Sequence, residues 1–399
     1  MKDKKYIVLT AFGKYQPYLI ADICSAVTDS KLNIVAVEQN ALHGLNIISM
    51  VTEPVDKSET PENACQRLKE NAHSLPAEVK VDIVAAATLN AVDKNLQVFT
   101  IIGRDKVGIL KAITNTLANF RVNVERMRHL ARGELVALEM LVDASELRDL
   151  SLLKDVIQRT CDEVGFDTII QPDTPFRQRR RLVVFDMDST IIDGEVIDEL
   201  AKAANVGDKV SKITKRAMAG ELDFKEALRE RVRLLKGLPV SVLEEVASGL
   251  KLTSGTYELI STLKAMGFRL ALISGGFDFF ANRLKEHLGF DYTYANELEI
   301  KDGQITGNIK GRIIDREAKG NIVKEIAAKE GLTTDEIVAV GDGANDEIML
   351  KNAGLGIAFN ASELLQKVAD GRITNSNLLG LLYCLGATDR TLARANPSQ

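Results

Sequence analysis

The chain has 399 residues, of which 45% are hydrophobic and 27% are charged, and its formal net charge is −5 at pH 7. This length predicts about two to four domains, and the composition excludes an intrinsically disordered chain. The negative charge argues against a broad nucleic-acid-binding surface, and the lack of a long apolar run argues against a membrane span. We therefore expect a folded protein with no nucleic-acid and no membrane partner.

The first residues and the cysteines bear on the cellular compartment. Residues 1–6 are charged and lead into a short strand-like run, which lacks the apolar stretch of a secretory signal. The four cysteines form no CxxC pair, which disfavours a zinc site or a dithiol redox site (Cys24, Cys65, Cys161, Cys384). Disulfides would require a secreted chain, so we predict buried free thiols in a reducing cytoplasm.

The first 172 residues contain a weak internal repeat. A β-rich run, a helical pattern and a strand-like phrase occur in that order at residues 6–11, 19–23 and 32–35, and again at 98–103, 108–113 and 122–125. Two further strands and a second helix follow in each copy, with the second helices at residues 57–72 and 145–164. The order βαββαβ, found twice, predicts two modules that each bury one sheet face under two helices.

The second copy contains the run Gly-Arg-Asp-Lys-Val-Gly-Ile-Leu, which starts at Gly103. On these residues it resembles ACT domains, regulatory modules often attached to enzymes of amino-acid metabolism. The first copy has Gly13 at the matching place but lacks the second glycine. The resemblance implies two ferredoxin-like ACT domains, a homodimer, and an amino-acid effector such as serine near Gly103, Asp105 and Gly108. A tandem that only builds the dimer is the alternative.

A boundary follows the second module. Residues 171–181 combine Pro172 and Pro175 with a basic run. Proline disfavours helix at the residue before it, so we predict an extended linker. We interpret the basic run as a solvated linker or a partner for the acidic remainder, in preference to a phosphate or nucleic-acid site. The predicted domains are residues 1–88, 94–172 and 182–393, with the linker at 173–181.

From residue 182 onward, short apolar runs alternate with longer helical stretches. Four such runs lie at residues 182–185, 270–273, 337–340 and 356–359. Strands that are buried on both faces have this composition, as in a doubly wound parallel α/β sheet covered by helices. Ligands of such sheets lie beyond the carboxyl ends of the strands, and three of the runs end in polar residues suited to chemistry.

The first run ends in Asp186-Met187-Asp188-Ser189-Thr190. Residues two apart on an extended segment point the same way, so both carboxylates can face one pocket. A hard cation such as Mg²⁺ would relieve their mutual repulsion. Asp186 could then be a nucleophile that forms an aspartyl-phosphate, with Asp188 as general acid and then general base. A polar turn or a helix cap is the alternative.

Further polar residues follow the second run. Ser274, Gly275 and Gly276 end that run, and their hydroxyl and amide groups could bind phosphoryl oxygens. Farther along the chain, Lys319 could neutralise the charge of a transferred phosphoryl group. Taken singly, a simple turn and a surface lysine are the alternatives.

The third run ends in Gly341-Asp342-Gly343-Ala344-Asn345-Asp346. Asp342 would bind the metal from this side, and Asp346 would support the metal site or orient Lys319. A Ca²⁺ loop is the rival interpretation, but the spacing of an EF-hand and its distal glutamate are missing.

These motifs in this order resemble the haloacid dehalogenase superfamily of phosphotransferases, over about residues 181–393. The resemblance implies a helical cap over the site, which we place at about residues 195–250. It also implies roles at the matching positions: Asp186 as nucleophile, Asp188 as acid and base, Ser274 and Lys319 on phosphate, and Mg²⁺ held by Asp186, Asp342 and the backbone carbonyl of Asp188.

The cap region carries an acid and a base suited to a zwitterionic substrate. Glu195 can accept hydrogen bonds from an ammonium group, and Arg231 can bind a carboxylate through two parallel hydrogen bonds. Taken singly, a helix N-terminal acid and an exposed helix charge are the alternatives. The local sequences here and at the catalytic motifs closely resemble phosphoserine phosphatases. By that resemblance Glu195 contacts the amino group of phosphoserine, Arg231 its carboxylate, Met218 and Phe224 line the cap side, and Asn345 helps to hold phosphate.

The resemblance implies Mg²⁺-dependent hydrolysis of O-phospho-L-serine to L-serine and phosphate, the last step of serine biosynthesis. Two alternatives stay open: action on another small phosphomonoester or transfer of its phosphate to an alcohol, and an amino-acid-sensing module whose phosphatase domain is inactive. Within residues 298–306, the pair Asp302-Gly303 predicts a β-hairpin that serves as a small second cap element.

Overall fold

The computed structural model describes residues 4–16, 18–85, 94–133, 135–218, 220–374 and 377–395, with the backbone alone for Phe176, Gln178, Met218, Arg394 and Ala395. The chain divides into two units, residues 1–93 and 94–399.

The first unit is a four-stranded antiparallel sheet with two helices. Its elements are β1 (Lys5–Lys14), α1 (Leu19–Asp29), β2 (Leu32–Leu42), β3 (Leu45–Pro54), α2 (Pro61–Ala72) and β4 (Glu78–Ala85), and the strand order is β2-β3-β1-β4. This is the predicted βαββαβ module. Helix α2 begins at Pro61 rather than at residue 57, because Thr60 accepts a hydrogen bond from the backbone N–H of Asn63 and proline suits the first helical position.

The second unit begins with a module of the same topology. Its elements are β5 (Leu96–Gly103), α3 (Ile109–Asn119), β6 (Asn123–Ala131), β7 (Val136–Asp143), α4 (Leu150–Val164) and β8 (Phe166–Pro172), in the strand order β6-β7-β5-β8. Helix α4 begins at Leu150 rather than at residue 145, because the Asp149 side chain caps it by accepting a hydrogen bond from the Ser151 N–H.

The rest of the second unit is built on a parallel sheet. Its strands are β9 (Leu182–Phe185), β10 (Arg269–Phe277), β11 (Tyr292–Lys301), β12 (Gln304–Lys310), β13 (Ile337–Gly341), β14 (Leu355–Phe359) and β15 (Gly371–Ile373). The order β11-β10-β9-β13-β14-β15 is parallel throughout, and β12 pairs antiparallel with β11 as the predicted hairpin. Strand β9 is the point from which the chain winds in both directions, which confirms the doubly wound sheet.

Helices cover both faces of this sheet and form the cap. The cap is a run of four helices, α5 (Val196–Ala203), α6 (Gly207–Met218), α7 (Phe224–Arg233) and α8 (Val240–Gly249). The other helices are α9 (Thr256–Ala265), α10 (Asp278–Leu288), α11 (Arg316–Glu330), α12 (Glu347–Lys351), α13 (Glu363–Val368), α14 (Gly380–Cys384) and α15 (Asp389–Ala395). The helical character predicted for residues 195–250 is confirmed.

The ACT-like module and the parallel sheet are continuous. Strand β8 pairs antiparallel with β15 through Ile169 and Gly371, which makes one sheet of eleven strands in the second unit. A Cβ atom on Gly371 would lie 2.5 Å from Ile169 Cγ1, so the absent side chain permits this close pairing. Asp167 strengthens the junction by accepting hydrogen bonds from the backbone N–H and the hydroxyl of Thr374.

The segment predicted as an extended, solvated linker is so only in part, since residues 172–175, Arg179 and Arg181 are exposed. Residues Pro175–Arg179 form a 3-10 turn, and the side chains of Arg177 and Arg180 are buried. Arg177 donates to buried Glu139 of β7, and Arg180 donates to Gln171 of β8 at 2.7 Å. The interpretation of the basic run as a partner for acidic residues is confirmed for Arg177. The prediction that the basic run is solvated is wrong for Arg177 and Arg180, because both side chains are buried against the sheet.

All four cysteines are free thiols, as predicted, although Cys24 is only half-buried. Within the described residues, no helix is both long and apolar enough to cross a membrane.

Candidate active site

Three strands of the parallel sheet deliver polar residues to one edge. Strand β9 lies between β10 and β13, with Phe185 in register with Leu272 and with Val340. Asp186 therefore follows the central strand directly, and its N–H donates to the Val340 carbonyl at 2.9 Å. Asp342 follows β13 directly, and Ser274 lies in β10 immediately after Ile273, where the regular register with β11 ends. The parallel topology thus gathers residues that are far apart in the sequence.

A buried lysine joins two of the acids. Lys319 Nζ lies 2.6 Å from Asp186 Oδ1 and 2.6 Å from Asp346 Oδ1, and its side chain is fully buried. Lys319 lies in the first turns of α11, whose N-terminus is capped by Asp315 through a 2.8 Å hydrogen bond from the Ala318 N–H. A buried charge needs partners of this kind, because its desolvation is costly.

Asp346 also shapes the loop that carries Asp342. Its second oxygen, Oδ2, accepts hydrogen bonds from the N–H groups of Asp342 at 3.2 Å and Gly343 at 3.1 Å. One oxygen atom from each of Asp186, Asp342 and Asp346 lies within 4.8 Å of the other two. Of these three acids, Asp186 and Asp346 are buried, and Asp342 is partly buried.

The site holds more negative charge than one lysine balances. Burial, followed by the charge of Asp346, raises the pKa of Asp186 to about 7 despite the opposing effect of Lys319. Burial and the neighbouring acids Asp186 and Asp346 raise the pKa of Asp342 to about 9. The pKa of Lys319 is raised, since its two acidic partners outweigh its burial. The carboxylates at this edge therefore favour an additional cation.

Asp188 occupies a different environment from Asp186. Its Oδ1 accepts a 2.9 Å hydrogen bond from the Val196 N–H at the start of the cap, and its Oδ2 lies 3.5 Å from Ser274 Oγ. Burial and the charges of Glu195 and Asp186 raise its pKa. The chain reverses between Asp188 and Glu195 through Ser189, whose φ of 56° lies in the left-handed region.

The cap covers an open cavity of about 840 Å³ over this edge. Its walls include most of the predicted site residues: Asp186, Asp188, Glu195, Phe224, Arg231, Gly275, Asp342 and Asn345. Ser274, Lys319 and Asp346 are buried. The Met218 side chain lies outside the described residues, so its predicted place in the cap wall is untested.

Two charged groups of the cap face into the cavity. Glu195 Oε1 accepts a 3.0 Å hydrogen bond from Ser189 Oγ, and burial raises the pKa of this carboxyl. Arg231 Nε lies 3.3 Å from the Ala227 carbonyl. Burial lowers the pKa of the Arg231 guanidinium, against the opposing effect of Glu195. A carboxylate and a guanidinium in one cavity suit a ligand with an ammonium and a carboxylate group.

Asn296 is a supporting residue that the sequence analysis missed. Its amide nitrogen donates to the Gly275 carbonyl at 2.8 Å, and its amide oxygen accepts from the Ile314 N–H at 2.8 Å. Asn296 is buried and pairs in register with Phe277, where β11 leaves the apolar interior. The parallel pairing of β11 with β10 ends at this polar residue after a register shift in β10, and the sequence does not show that shift.

The matches to known proteins have the same two parts. The haloacid dehalogenase-like hydrolase family matches residues 180–354, and an ACT domain family matches residues 96–171. A phosphoserine phosphatase of Archaeoglobus fulgidus is 50% identical over 328 residues, which is 82% of this chain and 95% of that protein. One of Streptomyces coelicolor is 33% identical and covers 99% of this chain and 95% of its own length.

The chain belongs to the phosphoserine phosphatase family of haloacid dehalogenase-like hydrolases. Solved structures agree with this assignment. A HAD family hydrolase from Salmonella enterica serovar Typhi has a TM-score of 0.63 at 30% identity, covering 72% of this chain and 98% of that one. A probable phosphoserine phosphatase from Vibrio cholerae has a TM-score of 0.57 at 30% identity, covering 76% and 89%.

Phosphatases of this superfamily are generally metal-dependent, and the residues of this chain fit a divalent cation. Asp186 and Asp342 each turn a carboxylate to the cavity, and hard cations prefer oxygen ligands. Burial and mutual repulsion raise the pKa of both acids, and a cation would favour their ionised forms. Asp346 is less available, since Lys319 and two backbone N–H groups already occupy its oxygens.

The three predicted effector residues lie at the end of β5 and the start of α3. Gly108 has a φ of 101° and caps α3, while Asp105 is exposed. Gly103 is buried, and a Cβ atom there would lie 2.6 Å from the Phe166 ring. The absence of a side chain at Gly103 therefore lets the Phe166 ring approach the backbone closely. The ACT match covers this module, and the first module shares its topology without being part of the matched range.

Proposed function

We propose that this chain hydrolyses O-phospho-L-serine to L-serine and inorganic phosphate through an aspartyl-phosphate on Asp186. The observation that carries the proposal is one cavity whose sheet edge holds Asp186, Asp188 and Asp342, and whose cap holds Glu195 and Arg231. Relatives named phosphoserine phosphatase that align over most of this chain support the same substrate.

In the first step, a carboxylate oxygen of Asp186 attacks phosphorus, and the bond between phosphorus and the serine oxygen breaks. Lys319 Nζ donates to Asp186 Oδ1 at 2.6 Å, which favours the ionised, nucleophilic form and fixes its orientation. The leaving serine oxygen needs a proton at the same time.

Asp188 supplies that proton. Burial and the neighbouring acids raise the pKa of Asp188, which favours the protonated carboxyl group that a general acid needs, and its Oδ1 accepts from the Val196 N–H, which leaves Oδ2 to carry the proton. In the second step Asp188 takes a proton from the attacking water, phosphate leaves, and Asp186 returns to its carboxylate form. The two acids thus take different roles because their environments differ.

The remaining predicted residues bind the two ends of the substrate. Glu195 would hold the ammonium group and Arg231 the carboxylate, with Met218 and Phe224 beside them. Ser274, Gly275, Lys319 and Asn345 would bind the phosphoryl oxygens. The Ser274 hydroxyl accepts a 2.8 Å hydrogen bond from the Gly276 N–H, which holds this strand end in a fixed shape.

We propose Mg²⁺ as the cation, held by Asp186, Asp342 and the backbone carbonyl of Asp188, with Asp346 in support through Lys319 and the loop N–H groups. Bound there, Mg²⁺ would offset the negative charge of the phosphoryl group and of the carboxylates around it.

The ACT-like modules would regulate the enzyme. We propose ACT domains at residues 1–88 and 94–172, a linker at 173–181 and the phosphatase at 182–393. We further propose a homodimer and a serine effector near Gly103, Asp105 and Gly108. A cytoplasmic enzyme of the last step of serine biosynthesis would suit feedback by its product.

The test measures phosphate released by the full chain from O-phospho-L-serine, with and without Mg²⁺. Other small phosphomonoesters, such as O-phosphoethanolamine and glucose 6-phosphate, are measured in parallel. We expect Mg²⁺-dependent turnover that favours phosphoserine and is lost in Asp186→Asn. A preference for another ester would replace the substrate, and inactivity on all of them would leave a sensing module with an inactive phosphatase domain.

A further inference from the structure

The rim of the catalytic cavity contains an ion pair between the cap and the sheet domain. Lys225, in the first turn of α7, places its Nζ 2.7 Å from Asp315 Oδ2, just before α11. The Lys225 side chain is 46% exposed and that of Asp315 is 18% exposed. Both residues line the cavity, and neither belongs to the predicted catalytic or substrate-binding set.

The cap meets the rest of the unit differently elsewhere. On the hairpin side the cap is held by backbone hydrogen bonds as well as by apolar packing: the Gly237 N–H donates to Ile305 O at 2.8 Å, and the Val240 N–H to Gly303 O at 3.0 Å. At the rim, Lys225 and Asp315 meet through their side chains. Side-chain contacts can open while the backbone pairing stays intact, so this rim is the part of the cap suited to admitting substrate.

A second contact lies beside the ion pair. The ring of Phe224 covers Gly275, since a Cβ atom on that glycine would lie 2.9 Å from Phe224 Cζ. Phe224 and Lys225, which are consecutive at the start of α7, therefore both reach across the cavity. Phe224 does so with an apolar ring and Lys225 with a charged group.

Asp315 also connects the ion pair to the helix that carries Lys319. Its Oδ1 caps α11 by accepting from the Ala318 N–H, while its Oδ2 receives Lys225. Its backbone carbonyl accepts from the Lys319 N–H at 2.9 Å. Lys225 is thus attached to the same helical turn that carries the catalytic lysine, rather than to a separate loop.

We propose that the Lys225–Asp315 ion pair closes the cavity rim over bound substrate, which makes Lys225 a positioning residue for the proposed hydrolysis. The expected effect on kinetics rests on the proposed function. The closure of the rim rests on the geometry alone. The ion pair stabilises the closed cavity equally in the substrate complex and in the transition state. Its loss should therefore weaken substrate binding without slowing the chemical step.

The kinetic test compares K225M, D315N and the double variant on phosphoserine. Asparagine caps helices about as well as aspartate, so D315N removes the charge and keeps the cap of α11. We expect each single variant to raise KM roughly 1.5- to 5-fold with kcat nearly unchanged, as for a partly exposed ion pair. The double variant should be no worse than either, and K225R should restore the wild-type KM.

Two controls make the outcome decisive. K202M removes a lysine of the same cap whose partner, Glu199, lies in the same helix, and it should leave KM unchanged. If Lys225 only attracted the anionic substrate, D315N would lower KM or leave it unchanged, and the proposal would be overturned. Effects that multiply in the double variant would overturn it too.

Amide hydrogen exchange without substrate separates this proposal from the proposed function. We expect residues 315–320 and 223–228 to exchange faster in K225M than in K202M, whatever the enzyme hydrolyses. Equal exchange in the two variants would refute rim closure, while absence of phosphoserine turnover with faster exchange would refute only the substrate.

Discussion

The Nζ of Lys319 lies 2.6 Å from Oδ1 of Asp186, and both side chains are buried at the carboxyl edge of the parallel sheet. These residues are 133 positions apart in the sequence. The contact joins the proposed nucleophile to helix α11, and the same ammonium group reaches Asp346. The buried ammonium group of Lys319 therefore orients both Asp186 and Asp346.

Replacement of Lys319 by methionine should damage both folding and activity. Asp186 and Asp346 would lose a buried partner, and breaking such a pair costs on the order of 3–5 kcal/mol of unfolding free energy. Urea denaturation of Lys319→Met and of the exposed control Lys202→Met measures this cost, and phosphate release measures activity. Equal unfolding midpoints in the two variants would contradict the assigned contact.

Gly276→Ala should impair catalysis more than stability. A Cβ atom there would lie 2.6 Å from Asp188 Oδ2 and 3.0 Å from Ser274 Oγ, so the proposed proton donor must move. Displacement of a catalytic group by about 1 Å typically costs roughly 100-fold in rate. Gly207→Ala is the matched control, since a Cβ atom at that glycine meets nothing within 4 Å. Wild-type kcat in Gly276→Ala would show that Asp188 does not act from this position.

Arg231→Ala should change substrate preference. Loss of a charged hydrogen-bonding partner for the substrate carboxylate should lower kcat/KM on phosphoserine roughly 10- to 150-fold. The same variant should change kcat/KM on O-phosphoethanolamine, which has no carboxylate, by less than about 3-fold. Arg229→Ala, on the exposed side of the same helix, is the control. A parallel fall on both substrates would place the carboxylate elsewhere.

Glu139 should make the free energy of unfolding depend on pH in the acid range. Burial opposes its ionisation, but hydrogen bonds and charge from Arg128 and Arg177 outweigh burial and lower its pKa. A lowered native pKa gives stability that is present above the unfolded value of about 4.3 and is lost as the pH falls through the native value.

Glu139→Gln lacks this contribution, so its loss of unfolding free energy relative to wild type should be largest near pH 7 and should shrink below about pH 4. Urea denaturation across this range measures the difference, with the exposed Glu146→Gln as control. A constant difference at all pH values would contradict an ionised Glu139 in the folded protein.

The sequence was sufficient to predict which residues meet at the sheet edge. Apolar runs that end in Asp186, Ser274 and Asp342 have the pattern of buried parallel strands, and parallel topology brings their carboxyl ends together. The hairpin was equally predictable, since Asp302 and Gly303 both adopt the positive φ angles that its two-residue turn requires.

Other features had no local signal. The junction of the two sheets depends on the single pair Ile169–Gly371, whose members lie in segments about two hundred residues apart. Arg177 and Arg180 look solvated in the sequence because a basic run usually is, and only the packing of β7 and β8 beside them explains their burial. Asn296 supports Gly275 across two strands, a relationship that depends on register.

The most direct test of Asp186 as the nucleophile locates the phosphoryl group during turnover. The full chain is mixed with phosphoserine and Mg²⁺, quenched in acid within milliseconds, digested, and analysed by mass spectrometry. We expect one added phosphoryl group on the peptide that contains Asp186, lost on longer incubation and absent in Asp186→Asn. A phosphoryl group on another residue, or steady turnover by Asp186→Asn, would contradict it.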